Sequence, residues 1–171
     1  MNLSKLRFDP TQIEYWADRY DYPSDDIVSN LKISIQEQKF LTKTDLLTLA
    51  QWKSPRSTHH INKNQESYIE AITHFALSTS NKRARIQSLT ILDGVGWPMA
   101  SCILHFYHHQ PYPILDFRAL WSISIDIPSQ YSFDFWIDYV QYCRQLAKSN
   151  QISMRKLDCA LWQYSKENQS T

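Results

Sequence analysis

Glycine is scarce in this sequence, with two residues of this type in 171. All-β proteins and nucleotide-binding sheets use many glycines in turns and phosphate loops, so the sequence argues against both classes. The three cysteines, Cys102, Cys143 and Cys159, are too few for a disulfide framework and lack metal-finger spacing. We expect them in the cores of helices. No apolar run approaches membrane-spanning length, and the first residues lack the apolar stretch of a signal peptide. We therefore expect a protein of a reducing cytoplasm.

No charge of one sign dominates, since the formal net charge is +1. This excludes a uniformly basic nucleic-acid binder, but the charge is unevenly distributed. It is net −3 over residues 1–30 and +2 over each of residues 31–79 and 80–121. An anionic partner should therefore bind the middle of the chain. Apolar residues are plentiful, at 43% of the sequence, and suffice for a buried core.

Apolar residues recur at helical spacing from end to end, between capping residues such as Asp9, Thr44 and Asn81. This pattern predicts an all-α fold. We expect a compact bundle of about eight or nine helices, in one domain over residues 1–171 or in two lobes. One continuous helix is predicted over residues 62–78. The segment 116–125 is rich in isoleucine, which leaves helix and strand both open.

Both glycines lie in the tripeptide Gly94-Val95-Gly96, between a helix predicted to end at Leu92 and another beginning just after Gly96. Glycine at both positions permits positive φ angles and bares the backbone N–H groups at the start of the second helix. Such amides form an anion site, for which a phosphodiester is the obvious ligand. The alternative is a tight turn between packed helices that binds nothing.

The residues around this turn extend the pattern. Leu89 and Leu92 precede it, Ala100 follows at a fixed distance, and a proline-bearing loop then leads to Asp116. This segment resembles the helix-hairpin-helix DNA glycosylases of the endonuclease III-like superfamily. The resemblance places the hairpin at about residues 82–109 and the proline–aspartate loop at residues 110–116.

The resemblance implies a DNA glycosylase that removes a damaged or modified base from double-stranded DNA in base excision repair. Asp116 would be the catalytic carboxylate that stabilises the charged sugar or activates water. Asp116 would also suit the N-cap of the next helix, and the two roles are compatible. The superfamily further implies that backbone amides of Gly94, Val95, Gly96 and Trp97 hold a DNA phosphate. A monovalent cation, Na⁺ or K⁺, would bind the carbonyls of Thr90, Leu92 and Val95. The style of the motif suggests a bacterial protein, associated with the nucleoid when bound to DNA.

Three departures from the family pattern matter. Pro98 stands where the bifunctional members carry a Schiff-base lysine, so water would be the nucleophile and the enzyme would be monofunctional. The iron–sulfur cluster of endonuclease III is not expected, because only three dispersed cysteines exist. Asp93 replaces the usual proline and places a negative charge near the proposed phosphate.

Basic residues near the motif are further candidates for DNA contact, although each also suits a solvated surface. Lys82, Arg83, Arg85 and Arg118 flank the hairpin and the aspartate. Lys53 and Arg56 lie on a loop that continues into His59 and His60. That loop is a candidate second DNA-gripping element, and its lysine is a remote candidate for a substitute amine. The residues are Lys82, Arg83, Arg85, Arg118, Lys53 and Arg56.

Histidines and aromatic residues near the motif are further candidates. His105 and His109 fall at i and i+4, the spacing of a metal-chelating pair on a helix, with His108 as a third imidazole. A plain helix C-terminus, where the dipole favours histidine, explains them better. Trp97 and Tyr112 are the aromatic residues placed to stack on a base. Two other functions stay open: a catalytically inactive helix-hairpin-helix DNA-binding protein, and a helical scaffold whose hairpin is purely structural.

Overall fold

The computed structural model describes residues 5–169. Residues 1–4, part of the segment inspected for a signal peptide, lie outside the described residues, as do residues 170–171. The described chain is all-helical, as predicted, with two 3₁₀ turns at Pro10–Gln12 and Pro55–Ser57. Its α-helices are α1 (Ile13–Asp18), α2 (Asp26–Ser29), α3 (Lys32–Gln38), α4 (Lys43–Lys53), α5 (Thr58–Ile61), α6 (Glu66–Ser78), α7 (Lys82–Leu89), α8 (Trp97–Tyr107), α9 (Phe117–Ser122), α10 (Phe133–Ser149) and α11 (Met154–Asn168).

The described helices outnumber the eight or nine predicted, because α2 and α3 are separate helices and α5 is a short helix of its own. The helix predicted over roughly residues 62–78 is confirmed as α6, which begins four residues later than predicted, at Glu66, and ends at Ser78. Thr44 does not cap α4. Thr42 does, in a capping box in which Thr42 accepts from the Asp45 amide and Asp45 accepts from the Thr42 amide. The caps predicted at Asp9 and Asn81 are confirmed.

Among the described residues, one compact unit combines residues 5–22 with residues 111–169. Within it α11 packs against α1 and α9. Trp136 and Tyr139 of α10 and Leu157 of α11 are fully buried in its core. A buried leucine of this kind contributes about 1.5–3 kcal/mol relative to an exposed one. The segment left open between helix and strand is helical, and Asp116 caps the resulting helix α9.

The second unit spans Pro23–Gln110. Helix α8 is central to it, because residues 99–104 are all buried and α3, α4 and α7 pack against it. Burial on every side explains why α8 is apolar around most of its circumference. Together α7 and α8 form the hairpin predicted from the glycine pair.

Among residues 5–169, no helix has the length and apolar character needed to cross a lipid bilayer.

Candidate nucleic-acid interface

The hairpin turn runs from Thr90 to Gly96. Helix α7 ends at Leu89, three residues before the predicted end at Leu92, and Thr90 is its C-cap. Helix α8 begins at Trp97, directly after Gly96 as predicted. The turn therefore places seven residues between two helices that pack together within the second unit.

Gly94 is required by the geometry of this turn. Its φ angle is +82°, a conformation that side-chain-bearing residues rarely adopt. A Cβ atom at this position would lie 2.8 Å from Cγ1 and 2.9 Å from the backbone nitrogen of Ile61. The turn thus packs directly against α5, and only glycine permits both the backbone angle and the close approach.

Gly96 has a different role, and it does not use the positive φ that glycine permits. Its φ is −83° and its ψ is 179°, which is extended backbone that other residues adopt freely. A Cβ would meet only Pro98 Cδ at 3.8 Å. Gly96 is the N-cap of α8 and has no side chain, so no side-chain acceptor caps the first amides of the helix.

Asn64 fixes the position of the turn. Its side chain is buried, and its Nδ2 donates to the carbonyl of Asp93 at 3.0 Å while its Oδ1 accepts from the Asp93 amide at 3.0 Å. The same Nδ2 also donates to the Ile61 carbonyl at 2.9 Å. One side chain therefore ties both backbone groups of Asp93 to the end of α5. Sequence reasoning missed this residue, because an asparagine in a polar turn carries no local signal of a contact 29 positions away.

A groove of about 660 Å³ opens beside the turn. One wall is the hairpin itself, including Thr90, Asp93 and residues 94–96. A second wall comes from residues 54–60, which the sequence predicted as a second DNA-gripping element and which meet the turn where His60 packs against Gly94. The structure thus brings the glycine turn and the basic loop to one concave surface of the second unit.

The charge of this groove is mixed. Amides at the start of α8 carry the partial positive charge of a helix N-terminus. Arg56 adds a full positive charge and is exposed, whereas Asp93, also exposed and lining the groove, adds a negative one. Pro98, at the second position of α8, has no N–H group to contribute.

The carbonyls predicted to bind a monovalent cation belong to residues that line the same groove. Leu92 contributes a carbonyl that already accepts from the Val95 amide at 3.1 Å, but a carbonyl oxygen retains a second lone pair. Backbone carbonyl oxygen suits Na⁺ or K⁺, so Thr90, Leu92 and Val95 fit such an ion chemically. The cation site stays a prediction. Across residues 5–169, no three His, Cys, Asp or Glu side chains cluster as metal ligands would.

The basic residues upstream of the hairpin divide into two kinds. Lys82 and Arg83 are exposed in the first turn of α7. Arg85 is 4% exposed, and its guanidinium donates to the Thr79 carbonyl just before α7. A guanidinium held in this way stabilises the start of the helix, so its burial argues against the predicted phosphate contact.

Lys53 and Arg56 also differ. Lys53 is half-buried at the end of α4 and does not line the groove, whereas Arg56 does.

Asp116 lies in the other unit and caps α9. Its Oδ1 accepts from the Arg118 amide at 2.9 Å, so the capping role considered for it is observed. The residue is half-buried. Burial, aided by the negative charge of Asp116, raises the pKa of Tyr131, which places that phenol within the electrostatic reach of the carboxylate.

The backbone leading to Asp116 is held by hydrogen bonds to both the amide and the carbonyl of Ile114. The Ile114 amide donates to Asp158 Oδ1 at 3.3 Å, and the Tyr139 hydroxyl donates to the Ile114 carbonyl at 2.9 Å. Asp158 is itself buried and pairs with Arg155 at 2.9 Å. Burial raises the pKa of Tyr139 well above the usual range, so its hydroxyl keeps the proton that it donates.

Arg118 is half-buried beside Asp116. Its guanidinium lies over the rings of Phe117 and Trp162, at 5.1 and 5.5 Å from their centroids. Cation–π contacts of this kind orient the side chain without neutralising its charge.

Tyr112 does not have the predicted stacking role. It is fully buried, and its ring lies parallel to that of Trp136 at 5.4 Å between centroids, so a base cannot reach it. Trp97, on the hairpin, is half-buried and keeps part of its ring accessible.

The histidine pair at i and i+4 does not form on a helix. Helix α8 ends at Tyr107, so His109 lies beyond it and the predicted chelating geometry is lost. His108 is buried, and its Nδ1 accepts from the Gln110 amide at 2.9 Å. Of the cysteines, Cys102 and Cys143 are buried in helices as predicted, and Cys159 is half-buried.

Comparison with known proteins gives a fold and no closer relationship. No family model matches the sequence, and no curated protein matches it. By fold, the chain is similar to an all-helical DNA glycosylase. The similar structure is the 8-oxoguanine glycosylase/lyase of Methanocaldococcus jannaschii, solved in complex with a 15mer DNA containing 8-oxoguanine. The TM-score is 0.54 and the sequence identity 14%, over 94% of this chain and 100% of that chain.

Proposed function

We propose that this chain is a DNA glycosylase of the helix-hairpin-helix type, which hydrolyses the N-glycosidic bond of a damaged or modified base in duplex DNA. The observation that carries the proposal is the hairpin turn. Gly94 adopts the positive φ that the turn requires and packs it against α5, and the turn residues Gly94, Val95 and Gly96, which lead into the uncapped start of α8, line a groove. The fold similarity to a DNA glycosylase supports the same reading.

The hairpin would bind the DNA backbone rather than the bases. Amides of Gly94, Gly96 and Trp97 suit a phosphate, which accepts several hydrogen bonds at once. The Val95 amide, also predicted for this role, already donates to the Leu92 carbonyl at 3.1 Å. Lys82 and Arg83 on α7 would add contacts to neighbouring phosphates and make binding dependent on salt. These contacts carry no sequence information, which suits an enzyme that must scan any sequence.

Asp116 would act at the sugar. Breaking an N-glycosidic bond leaves positive charge on the sugar ring, and a carboxylate beside it stabilises that charge or activates the attacking water. The N-cap contact and the clamped backbone at Ile114 fix where this carboxylate stands. Arg118 would contact a phosphate or adjust the charge around Asp116.

Water is the nucleophile in this proposal, because Pro98 has no amine where the lyases carry a lysine. The product is then a free base and an intact strand with an abasic sugar. If an amine were the nucleophile instead of water, Lys53 would be the candidate to replace the missing lysine.

The test is release of free bases from a panel of modified duplexes, detected by mass spectrometry. We expect Asp116→Asn to slow release by about 10²–10⁴-fold. Asp126→Asn, which changes an exposed aspartate of the same unit, is the matched control and should retain the wild-type rate. Equal rates for wild type and Asp116→Asn would show that the mechanism is wrong.

A second function, a non-catalytic DNA-binding module, is favoured by one observation. Asp93 lines the groove beside the proposed phosphate, and its charge opposes tight binding. This alternative predicts salt-sensitive duplex binding with no base released from any duplex of the panel.

A further inference from the structure

The wall of the groove that faces the hairpin carries a cluster of three cationic or cation-forming side chains. Arg56 lies in the 3₁₀ turn Pro55–Ser57, and His59 and His60 lie in α5. All three are exposed, and all three line the groove together with the hairpin turn. Nothing in the role proposed for the hairpin requires them.

The two imidazoles are held as a pair. Their ring centroids are 3.7 Å apart with the planes tilted by 43°. His59 is fixed further, because its Nδ1 lies 2.9 Å from the Arg56 carbonyl oxygen. A carbonyl only accepts hydrogen bonds, so Nδ1 carries the proton in this contact.

This tautomer has a chemical consequence. With the hydrogen on Nδ1, the Nε2 of a neutral His59 ring is an acceptor and cannot donate to a phosphate oxygen. A second proton on Nε2 converts the ring into a cation with a donor available to an anion. Binding a phosphate through this nitrogen while Nδ1 keeps its contact with the Arg56 carbonyl therefore requires uptake of a proton.

The charged groups around α5 set the balance of the groove. Of the elements packed against α5, α4 carries Lys43, Asp45 and Lys53, the 3₁₀ turn carries Arg56, and the hairpin turn carries Asp93. The Lys43 ammonium donates to the carbonyls of Asn62 and Asn64, and Asp45 belongs to the capping box of α4.

Arg56 and Asp93 are thus the charged side chains of this set that line the groove. Their charges cancel while both imidazoles are neutral. Each of the two imidazoles that binds a proton adds one positive charge to this balance.

We propose that Arg56, His59 and His60 form a second phosphate-binding wall, which grips the DNA backbone opposite the hairpin amides and takes up protons as it does so. The inference rests on the proposed function insofar as the ligand is duplex DNA. A groove of about 660 Å³ lies within the roughly 300–1,000 Å³ range of ligand sites, so a phosphodiester with its sugars fits between the walls. The positive charge of Arg56 on the second wall offsets the negative charge of Asp93 on the hairpin wall.

The first test is the salt dependence of affinity for an unmodified duplex, measured by fluorescence anisotropy. Loss of one phosphate contact lowers the slope of log K against log salt by about 0.9. We expect a decrease of about this size for Arg56→Gln. Lys32→Gln, an exposed cation of α3 outside the groove, is the matched control and should leave the slope unchanged.

The second test is pH. Wild-type affinity should rise as the pH falls from 8 to 6, by up to about tenfold per pH unit for each proton taken up. The double variant His59→Gln/His60→Gln should lose most of that rise. His74→Gln, an exposed histidine of α6, should keep it. Thermal melts of every variant establish that each one is folded.

These measurements separate the inference from the proposed function. Unchanged salt slopes in Arg56→Gln, or an unchanged pH trend in the histidine variant, would overturn the second wall even if bases are released. Failure to release any base, with the slope and pH effects intact, would overturn the glycosylase activity and leave the wall standing. No duplex affinity at low salt would overturn both.

Discussion

The hairpin turn and the segment that leads to Asp116 hold their functional groups by opposite means. In the turn the proposed functional groups are backbone amides, and what positions them is the shape of the backbone itself, set by Gly94 and by the Asn64 side chain. In the Asp116 segment the proposed functional group is a side chain. Its backbone is ordinary, and buried polar side chains from α10 and α11 hold it.

The difference teaches where each region should be sensitive to mutation. A site made of backbone fails when a side chain is added that changes the path of the chain. A site made of a carboxylate tolerates such changes nearby but fails when its supporting hydrogen bonds are removed. We therefore expect the largest effect on stability at Gly94, a smaller one at Asn64 and the smallest at Tyr139.

Gly94→Ala should lower the free energy of unfolding by about 2–5 kcal/mol, because it adds backbone strain at φ +82° to a steric clash with Ile61. Urea unfolding followed by circular dichroism measures this directly. Duplex affinity should fall with it, since the amides of α8 move together with the turn.

Gly96→Ala is the matched control, because Gly96 lies in the same turn, two residues after Gly94, but has open space around it. Its φ is negative and its nearest neighbour would be Pro98 Cδ at 3.8 Å, so we expect a change of less than about 0.5 kcal/mol. Equal losses for the two alanine variants would contradict the distinction drawn between the glycines.

Asn64→Ala should cost about 1–3 kcal/mol, because it leaves the amide and carbonyl of Asp93 without their side-chain partner. Hydrogen exchange of the Asp93 amide, followed by NMR, should quicken at the same time. Asn62→Ala, which truncates an exposed asparagine two residues earlier, should change neither quantity. Slow exchange at Asp93 in Asn64→Ala would show that the turn is held by other contacts.

The parts of this molecule that sequence predicts well are those determined by neighbours in the chain. Helical spacing of apolar residues predicted the all-α fold, and Asn81 was identified as a cap because its partner, the Ala84 amide, lies three residues away. The glycine pair likewise located the start of α8. Local patterns also explain the errors: Thr42 and Thr44 both suit a cap, and only Thr42 has Asp45 three residues later.

Contacts between distant positions were out of reach. Asn64 meets Asp93 across 29 residues, and Asp158 meets Ile114 across 44. The side chains themselves are unremarkable in type, so no spacing rule could single them out. Arg85 and Tyr112 are errors of the opposite kind, in which the sequence predicted a contact that does not form. A basic or aromatic residue beside a motif suggests a ligand contact, and only tertiary packing shows that each of these side chains is buried.

Tyr139→Phe tests the support of Asp116 and should have the smallest effect, about 1 kcal/mol, since it removes one hydrogen bond to the Ile114 carbonyl. The size of this stability difference depends on pH. The pKa of Tyr139 is raised in the folded protein by burial, so the contribution of Tyr139 to stability is complete below the unfolded value of about 10 and declines as the pH rises above it.

Urea unfolding at pH 8 and pH 10.5 measures this effect. The difference in the free energy of unfolding between wild type and Tyr139→Phe should be smaller at pH 10.5 than at pH 8. Tyr15→Phe, at an exposed tyrosine, is the control and should match wild type at pH 8. A wild-type advantage that grows with pH would mean that the Tyr139 phenol ionises more readily in the folded chain, and the hydroxyl would then not be the donor that holds Ile114.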